Sequence, residues 1–188
     1  MLINNDTIVK DNNPIIRTKS KEVKLPLSEE DASLLRDMLK YVQDSTDEEK
    51  AKKYNLRPAV GISAIQVGIP KRMMAVVVDD IDKNGNPIHY EYMLANAKIV
   101  SESAQPAYLS SGEGCLSVVQ DHPGYVIRKA RVTVEAYDLI TDSMVSIRAR
   151  GYLAIVLQHE LDHFDGHLFY DRIDKKNPLK KIDGALVI

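Results

Sequence analysis

Gly151-Tyr152-Leu153-Ala154-Ile155-Val156-Leu157-Gln158-His159-Glu160-Leu161-Asp162-His163-Phe164-Asp165-Gly166 is the stretch that decides how this chain is read. Leu153, Ile155, Val156 and Leu157 predict a helix over about 152–165 that is buried nearly all round, opened by Gly151 and stopped at Gly166 as a C′ glycine. On that helix His159 and His163 fall one turn apart on one face, close enough to grip a single ion. Glu160 is rotated by roughly 100° around the axis, placed to reach a water on that ion but poorly placed to ligate it. Two imidazoles and a neighbouring carboxylate are the minimum set for metal-assisted hydrolysis. The plainer alternative is a pair of core histidines satisfied by hydrogen bonds.

An HExxH run by itself does not name a fold, so the third ligand matters. Zinc proteases complete their sites downstream. The position that one class fills with histidine is Phe169 here, and no glutamate follows Glu160 to serve the other. His167 lies just past the helix stop and would need a backbone reversal to point at the ion. Asp171 and Asp174 stay open from sequence. The better donor lies upstream, in Gly112-Glu113-Gly114-Cys115-Leu116-Ser117. A lone thiol is usually a small buried hydrophobe. This one is framed by glycines and an acid, which suits an exposed backbone turn better than a packed core. As a thiolate it is a strong ligand for iron or zinc, and with two imidazoles it leaves a fourth tetrahedral position for water. A nucleophilic role for Cys115 would leave the HExxH run unexplained.

Length and composition set the frame. A chain of 188 residues fits one domain, spanning 1–188, with a core large enough to fold alone. The hydrophobic fraction of 44% and charged fraction of 28% are those of an ordinary globular protein. A formal net charge of −2 gives no global attraction to nucleic acid or to an anionic membrane. No apolar run approaches the ~20 residues of a membrane span. The opening residues, Met1 to Asn13, are polar and carry acids, unlike a signal or transit peptide. With Cys115 as the one cysteine, an intrachain disulfide is impossible and a reducing, cytoplasmic setting is expected.

The elements around the motif helix follow from periodicity. Ser28 reads as an N-cap with Asp31 in a box-like position, and Leu34, Leu35, Met38, Leu39 and Val42 continue at helical spacing to about residue 43. Asp44 to Lys53 reads as a charged, solvated helix or loop. From Arg57 the texture becomes β: Arg72 to Val78 is an apolar, valine-rich run, Asn84-Gly85 marks a turn, and Tyr90 to Val100 returns as its partner. Val132, Val134 and Ala136, then Val145, Ile147 and Ala149, alternate with polar residues on either side of Thr141-Asp142-Ser143, a hairpin with one buried face. Ala185 to Ile188 reads as a strand. The class is α+β, with antiparallel or mixed sheets wrapped around a central metal-bearing helix and a strand-like C-terminus. His89 and His122 read as surface histidines.

Three segments in this order resemble the peptide deformylase family: Ala59-Val60-Gly61-Ile62-Ser63-Ala64-Ile65-Gln66, Glu113-Gly114-Cys115-Leu116-Ser117, and Gln158-His159-Glu160-Leu161-Asp162-His163. The second and third match the family's motifs in full. The likeness runs from about residue 14 onward, through Pro123-Gly124-Tyr125-Val126 and Phe169-Tyr170-Asp171, and is similar to the type 2 form common in Gram-positive bacteria. The first motif departs from the pattern, with Ala59 where glycine is usual and Ser63 where alanine is usual. If the family glycine needs a positive φ, Ala59 would be strained, and a buried Ser63 hydroxyl must find a partner.

The resemblance implies removal of the N-formyl group from the formyl-methionine of newly made proteins, with formate released. It implies one divalent ion on Cys115, His159 and His163, ferrous in the cell, with Zn²⁺, Ni²⁺ or Co²⁺ accepted by purified protein. Glu160 would move the proton. The Gln66 amide and the Leu116 N–H would meet the oxyanion. Gly61 would let its backbone approach the substrate, and Val60 with the helix residues before His159 would line an apolar methionine pocket. Glu113 would pair with Arg128, while Asp162 would point away from the ion, toward a supporting contact or solvent. Partners would be nascent formyl-Met chains and the ribosome near its exit tunnel, with no nucleic-acid readout and no membrane. The rival readings are a zinc endopeptidase and a non-catalytic, metal-stabilised homologue.

Overall fold

The nine residues Met73–Ile81 form β2, and they explain why the sequence shows an unbroken apolar run there. Met73 and Ala75 pack into one hydrophobic layer, whereas Met74, Val76 and Val78 pack into another. A strand buried on both faces has no polar side to alternate with. The computed structural model describes residues 1–82 and 84–188. In it β2 lies inside a five-stranded antiparallel sheet of order β1-β2-β3-β6-β7, where β1 is Gly61–Ser63, β3 is Pro87–Glu102, β6 is Arg131–Asp138 and β7 is Ser143–Arg150.

One layer is closed by α1, Glu29–Ser45, whose Leu34, Leu35, Met38, Leu39 and Val42 are buried as their spacing predicts. Ser28 caps it, its side chain accepting from the Asp31 N–H at 3.2 Å. The other layer is closed by α3, Gly151–Phe164, through Leu153, Val156, Leu157, Leu161 and Phe164. The sheet is therefore sandwiched between two helices. Beyond α3, a three-stranded sheet of order β5-β4-β8 joins Arg128–Lys129, Pro106–Tyr108 and Leu186–Val187, with β4 and β8 parallel. The motif helix thus lies between the two sheets, and the chain ends in a short strand. At β6 and β7 the register pairs Val134 with Ile147 and Val132 with Ala149, all buried, as the alternation requires. The single buried face, on α3, is why these strands alternate and β2 does not.

The segment after α1 differs from its reading as wholly solvated. Glu48–Tyr54 does form an exposed helix, α2. Asp44 and Ser45, however, are buried at the end of α1. Asp44 is clamped by Lys40 at 2.6 Å and Lys50 at 3.0 Å, and Ser45 Oγ accepts from the Ala59 N–H at 3.1 Å. These polar groups anchor the strand that follows. At β3, Asn96 takes φ 54° beside a break in register, and its side chain bonds both the N–H and C=O of Val23 at 2.8 Å, tying down the N-terminal segment. Among the described residues no helix is long and apolar enough to cross a membrane.

Candidate metal centre

Helix α3 presents His159 and His163 from successive turns, with their rings edge to face and 5.0 Å apart. Cys115 arrives from the irregular segment after β4, and its Sγ lies 3.4 Å from His163 Nε2. One donor atom from each of the three lies within 4.8 Å of the other two. The sequence placed Cys115 on an exposed turn. Its backbone is irregular, but the thiol is buried beside Ile16, Ile65, Val118, Leu168 and Phe169. The glycines free the backbone to turn, and the side chain goes inward because its partners are there.

The surroundings orient each donor. His159 Nδ1 lies 2.8 Å from Glu113 Oε2, which leaves Nε2 for the cluster. Glu113 is held in turn by Arg128, whose Nη2 donates to Oε2 at 2.8 Å. Asp162 does point away from the cluster, but it is buried rather than solvated. It accepts from Arg128 Nη1 at 3.0 Å and from Arg172 Nε at 2.6 Å. A charged chain therefore runs from His159 to the surface at Arg172. His167 is exposed beside Asp171, and Asp171 pairs with Arg17, so both lie outside the cluster. Phe169 stacks on the His159 ring at 6.3 Å. His89 is exposed, and His122 is half-buried, stacked on Tyr170 at 4.2 Å.

Charge in the cluster suits a cation. Burial pushes the Cys115 thiol up, but the His163 and His159 imidazoles outweigh it and bring the group down to about 6. Burial disfavours protonated His159, yet Cys115 and Glu113 together raise it well above the usual imidazole range. Burial also opposes ionised Glu113, but Arg128 and His159 hold it below the ordinary carboxylate value. A thiolate, two imidazoles on one helical face and a carboxylate behind one of them form a donor set that fits one divalent transition-metal ion.

The cluster opens onto a cavity of about 620 Å³ lined by Val60, Gly61, Gln66, Cys115, Leu116, His159 and Glu160, among others. Strand β1 explains part of this. Ile62 turns toward α1, so Gly61 and Ser63 face α3. A Cβ on Gly61 would sit 2.6 Å from Glu160 Oε1, so glycine here makes room for the carboxylate. Ser63 Oγ donates to Glu160 Oε2 at 2.7 Å and approaches the Glu160 carbonyl at 3.1 Å. After β1, a short 3-10 turn, Ala64–Val67, carries Gln66. Its Oε1 accepts from the Ser63 N–H at 2.9 Å, which aims Nε2 at Cys115 Sγ (3.4 Å) and Ser117 Oγ (3.2 Å). The Leu116 carbonyl accepts from Lys10 Nζ at 3.0 Å and from Arg57 Nη1 at 3.4 Å. Ala59 is not among the residues of positive φ, so its methyl carries no backbone strain.

The cavity also gathers residues that the sequence did not single out: Arg57, Leu109, Tyr152 and Ile188. They come from separate segments, and no local pattern marks them. Tyr152 alone was within reach, as one of the helix residues before His159.

Comparison with known proteins bears on the whole chain. The family model described as polypeptide deformylase matches residues 5–178. A peptide deformylase of Ligilactobacillus salivarius is 46% identical over 100% of both chains. The chain belongs to the polypeptide deformylase family. A peptide deformylase 2 of Geobacillus stearothermophilus is 49% identical over 96% of each chain. Among solved structures, the peptide deformylase of Ehrlichia chaffeensis superposes with a TM-score of 0.70 at 27% identity, covering 95% of this chain and 91% of that one. A deformylase of Acinetobacter baumannii with Met-Ala-Ser bound gives a TM-score of 0.68 at 27% identity, covering 92% of this chain and 100% of that one. The deformylase reaction is removal of the N-formyl group from nascent polypeptides by a metal-dependent hydrolase, and the Cys115, His159 and His163 cluster is this chain's metal site.

Proposed function

We propose that Glu160, Gln66 and Leu116 carry the deformylation chemistry beside the metal site, and that Val60 and Gly61 help hold the formyl-methionine. The observation that supports this is the convergence of all five on the cavity that Cys115 and His159 share. When bound, a divalent ion supplies Lewis acidity and a water of near-neutral pKa. Glu160 lies beside His159, its Oε2 held by Ser63 and its Oε1 toward Gly61, where it can take a proton and return it to the departing amine. Gln66 Nε2 and the Leu116 N–H act as donors to the oxyanion that forms at the formyl carbon. Gln66 is preset for this because the Ser63 N–H fixes which end of its amide faces the cluster.

The walls of the cavity suit methionine. Val60, Ile155 and Val156 line it, giving the thioether side chain dispersion contacts. The Acinetobacter baumannii relative, with Met-Ala-Ser bound, supports a peptide that enters methionine first. The substrate is then a formyl-Met nascent chain, met in the cytoplasm near the ribosomal exit tunnel where such termini first emerge. The ion in the cell is ferrous on the family resemblance, and the Cys/His/His donors also accept Zn²⁺, Ni²⁺ or Co²⁺. The endopeptidase alternative needs a downstream ligand, and His167 and Asp171 are both engaged away from the cluster.

The test is an anaerobic assay of a formyl-Met tripeptide against its acetyl analogue, with metal content measured on the same sample. Formate release with little acetate release is expected. Equal cleavage of both, or cleavage of internal peptide bonds, would overturn the reading.

A further inference from the structure

We propose that Ser63 is a positioning residue for Glu160, its hydroxyl gripping Oε2 so that Oε1 is turned to the cavity. This rests on Glu160 as the proton carrier. Ser63 has no exposed surface, and its hydroxyl must find a partner or remain unsatisfied in the core. It finds the Glu160 carboxylate at 2.7 Å, across 97 residues of sequence, and the Glu160 carbonyl at 3.1 Å. A hydroxyl has one proton to give, and the shorter, charge-assisted contact is the stronger of the two.

The other carboxylate oxygen is bounded differently. Oε1 occupies the space beside Gly61 that a side chain would fill, and among the described residues the hydrogen bond to the carboxylate ends on Oε2. One oxygen of Glu160 is thus tethered and the other is free, from two positions of one strand face. The Ser63 backbone N–H meanwhile sets the amide of Gln66. Any residue at 63 supplies that N–H, but only a hydroxyl supplies the grip on Glu160. Ser63 keeps its proton throughout, and acts by restricting the torsions of a buried carboxylate so that its second oxygen stays beside Gly61.

The test is a double-mutant cycle with Ser63→Ala and Glu160→Asp on a formyl-Met tripeptide, metal content being measured for every variant. Ser63→Ala removes one atom and leaves the strand able to form. Its kcat is expected to fall roughly ten- to a hundredfold, the worth of one hydrogen bond to a charged group. KM should stay within about twofold, since Ser63 has no exposed surface and does not line the cavity. In the Glu160→Asp background the shorter side chain cannot reach Ser63, so Ser63→Ala should cost nothing further. Crystals of Ser63→Ala should show Glu160 in more than one rotamer. An unchanged kcat in Ser63→Ala, an equal loss in both backgrounds, or a single unaltered Glu160 rotamer would overturn the proposal. Full activity in Glu160→Asp and in Glu160→Ala would overturn the proton-carrier reading itself.

Discussion

Nδ1 of His159 lies 2.8 Å from Oε2 of Glu113, and this contact fixes which ring nitrogen faces the cluster. Glu113→Gln keeps the shape of the side chain but weakens the bond to His159 and leaves Arg128 with a neutral partner. Loss of such a supporting contact costs about 10- to 100-fold in metal affinity. Competition against a chelator would measure it. An affinity equal to that of the unaltered protein would show that Glu113 serves packing alone.

Metal uptake should release protons, and its pH dependence has a definite sign. In the metal-free chain His159 is raised well above the usual value, so it is protonated near neutrality and must lose that proton to ligate. Affinity for Zn²⁺ should therefore fall by about tenfold per pH unit on acidification through that range. Below about 6 the Cys115 thiol also takes a proton, and the slope should steepen. Zinc competition titrations from about pH 8 down to 5 would show the break. Tighter binding at low pH would contradict the assignment.

Gly61→Ala is expected to lose activity while staying folded. The backbone at 61 is not in the left-handed region, so alanine is allowed there. The added methyl, however, would lie 2.6 Å from Glu160 Oε1, and the carboxylate must move. The loss should approach that of Glu160→Ala, on the order of 10²- to 10⁴-fold for a displaced general base. Metal content should be unchanged in both variants, as read by elemental analysis.

Gln66→Ala should depress kcat by about 10²- to 10³-fold, the usual loss for one oxyanion donor, with a smaller change in KM. Steady-state kinetics on a formyl-Met peptide would separate the two. A rise in KM with kcat intact would assign Gln66 to ground-state binding.

Much of this architecture was legible because burial leaves different marks on different strands. The unbroken run at Met73 to Val78 belongs to a strand packed on both faces, and the alternation around Val134 and Ile147 to strands packed on one. The third ligand was legible in the chemistry of Cys115, a lone thiol framed by glycines and an acid, although Asp171 and Asp174 stayed open in the sequence. Other features leave no local trace. The three residues of β1 are too few to show a period, and the faces of Gly61 and Ser63 follow only from pairing with β2. Burial of Cys115 depends on Ile16, Ile65 and Leu168, which are distant in sequence. The polar anchors at Asp44 and Ser45 read as surface because their partners, Lys50 and Ala59, lie beyond the helix they end.

The central claim is that one thiolate and two imidazoles share a single cation in this cavity. Anomalous diffraction from a crystal grown anaerobically with Fe²⁺ or Zn²⁺ tests it most directly. The account predicts one peak per chain at bonding distance from Cys115 Sγ and from one nitrogen each of His159 and His163, on the side of the cluster facing Glu160. A peak held by the imidazoles with Cys115 turned away, or by a fourth protein side chain closing the site, would contradict it.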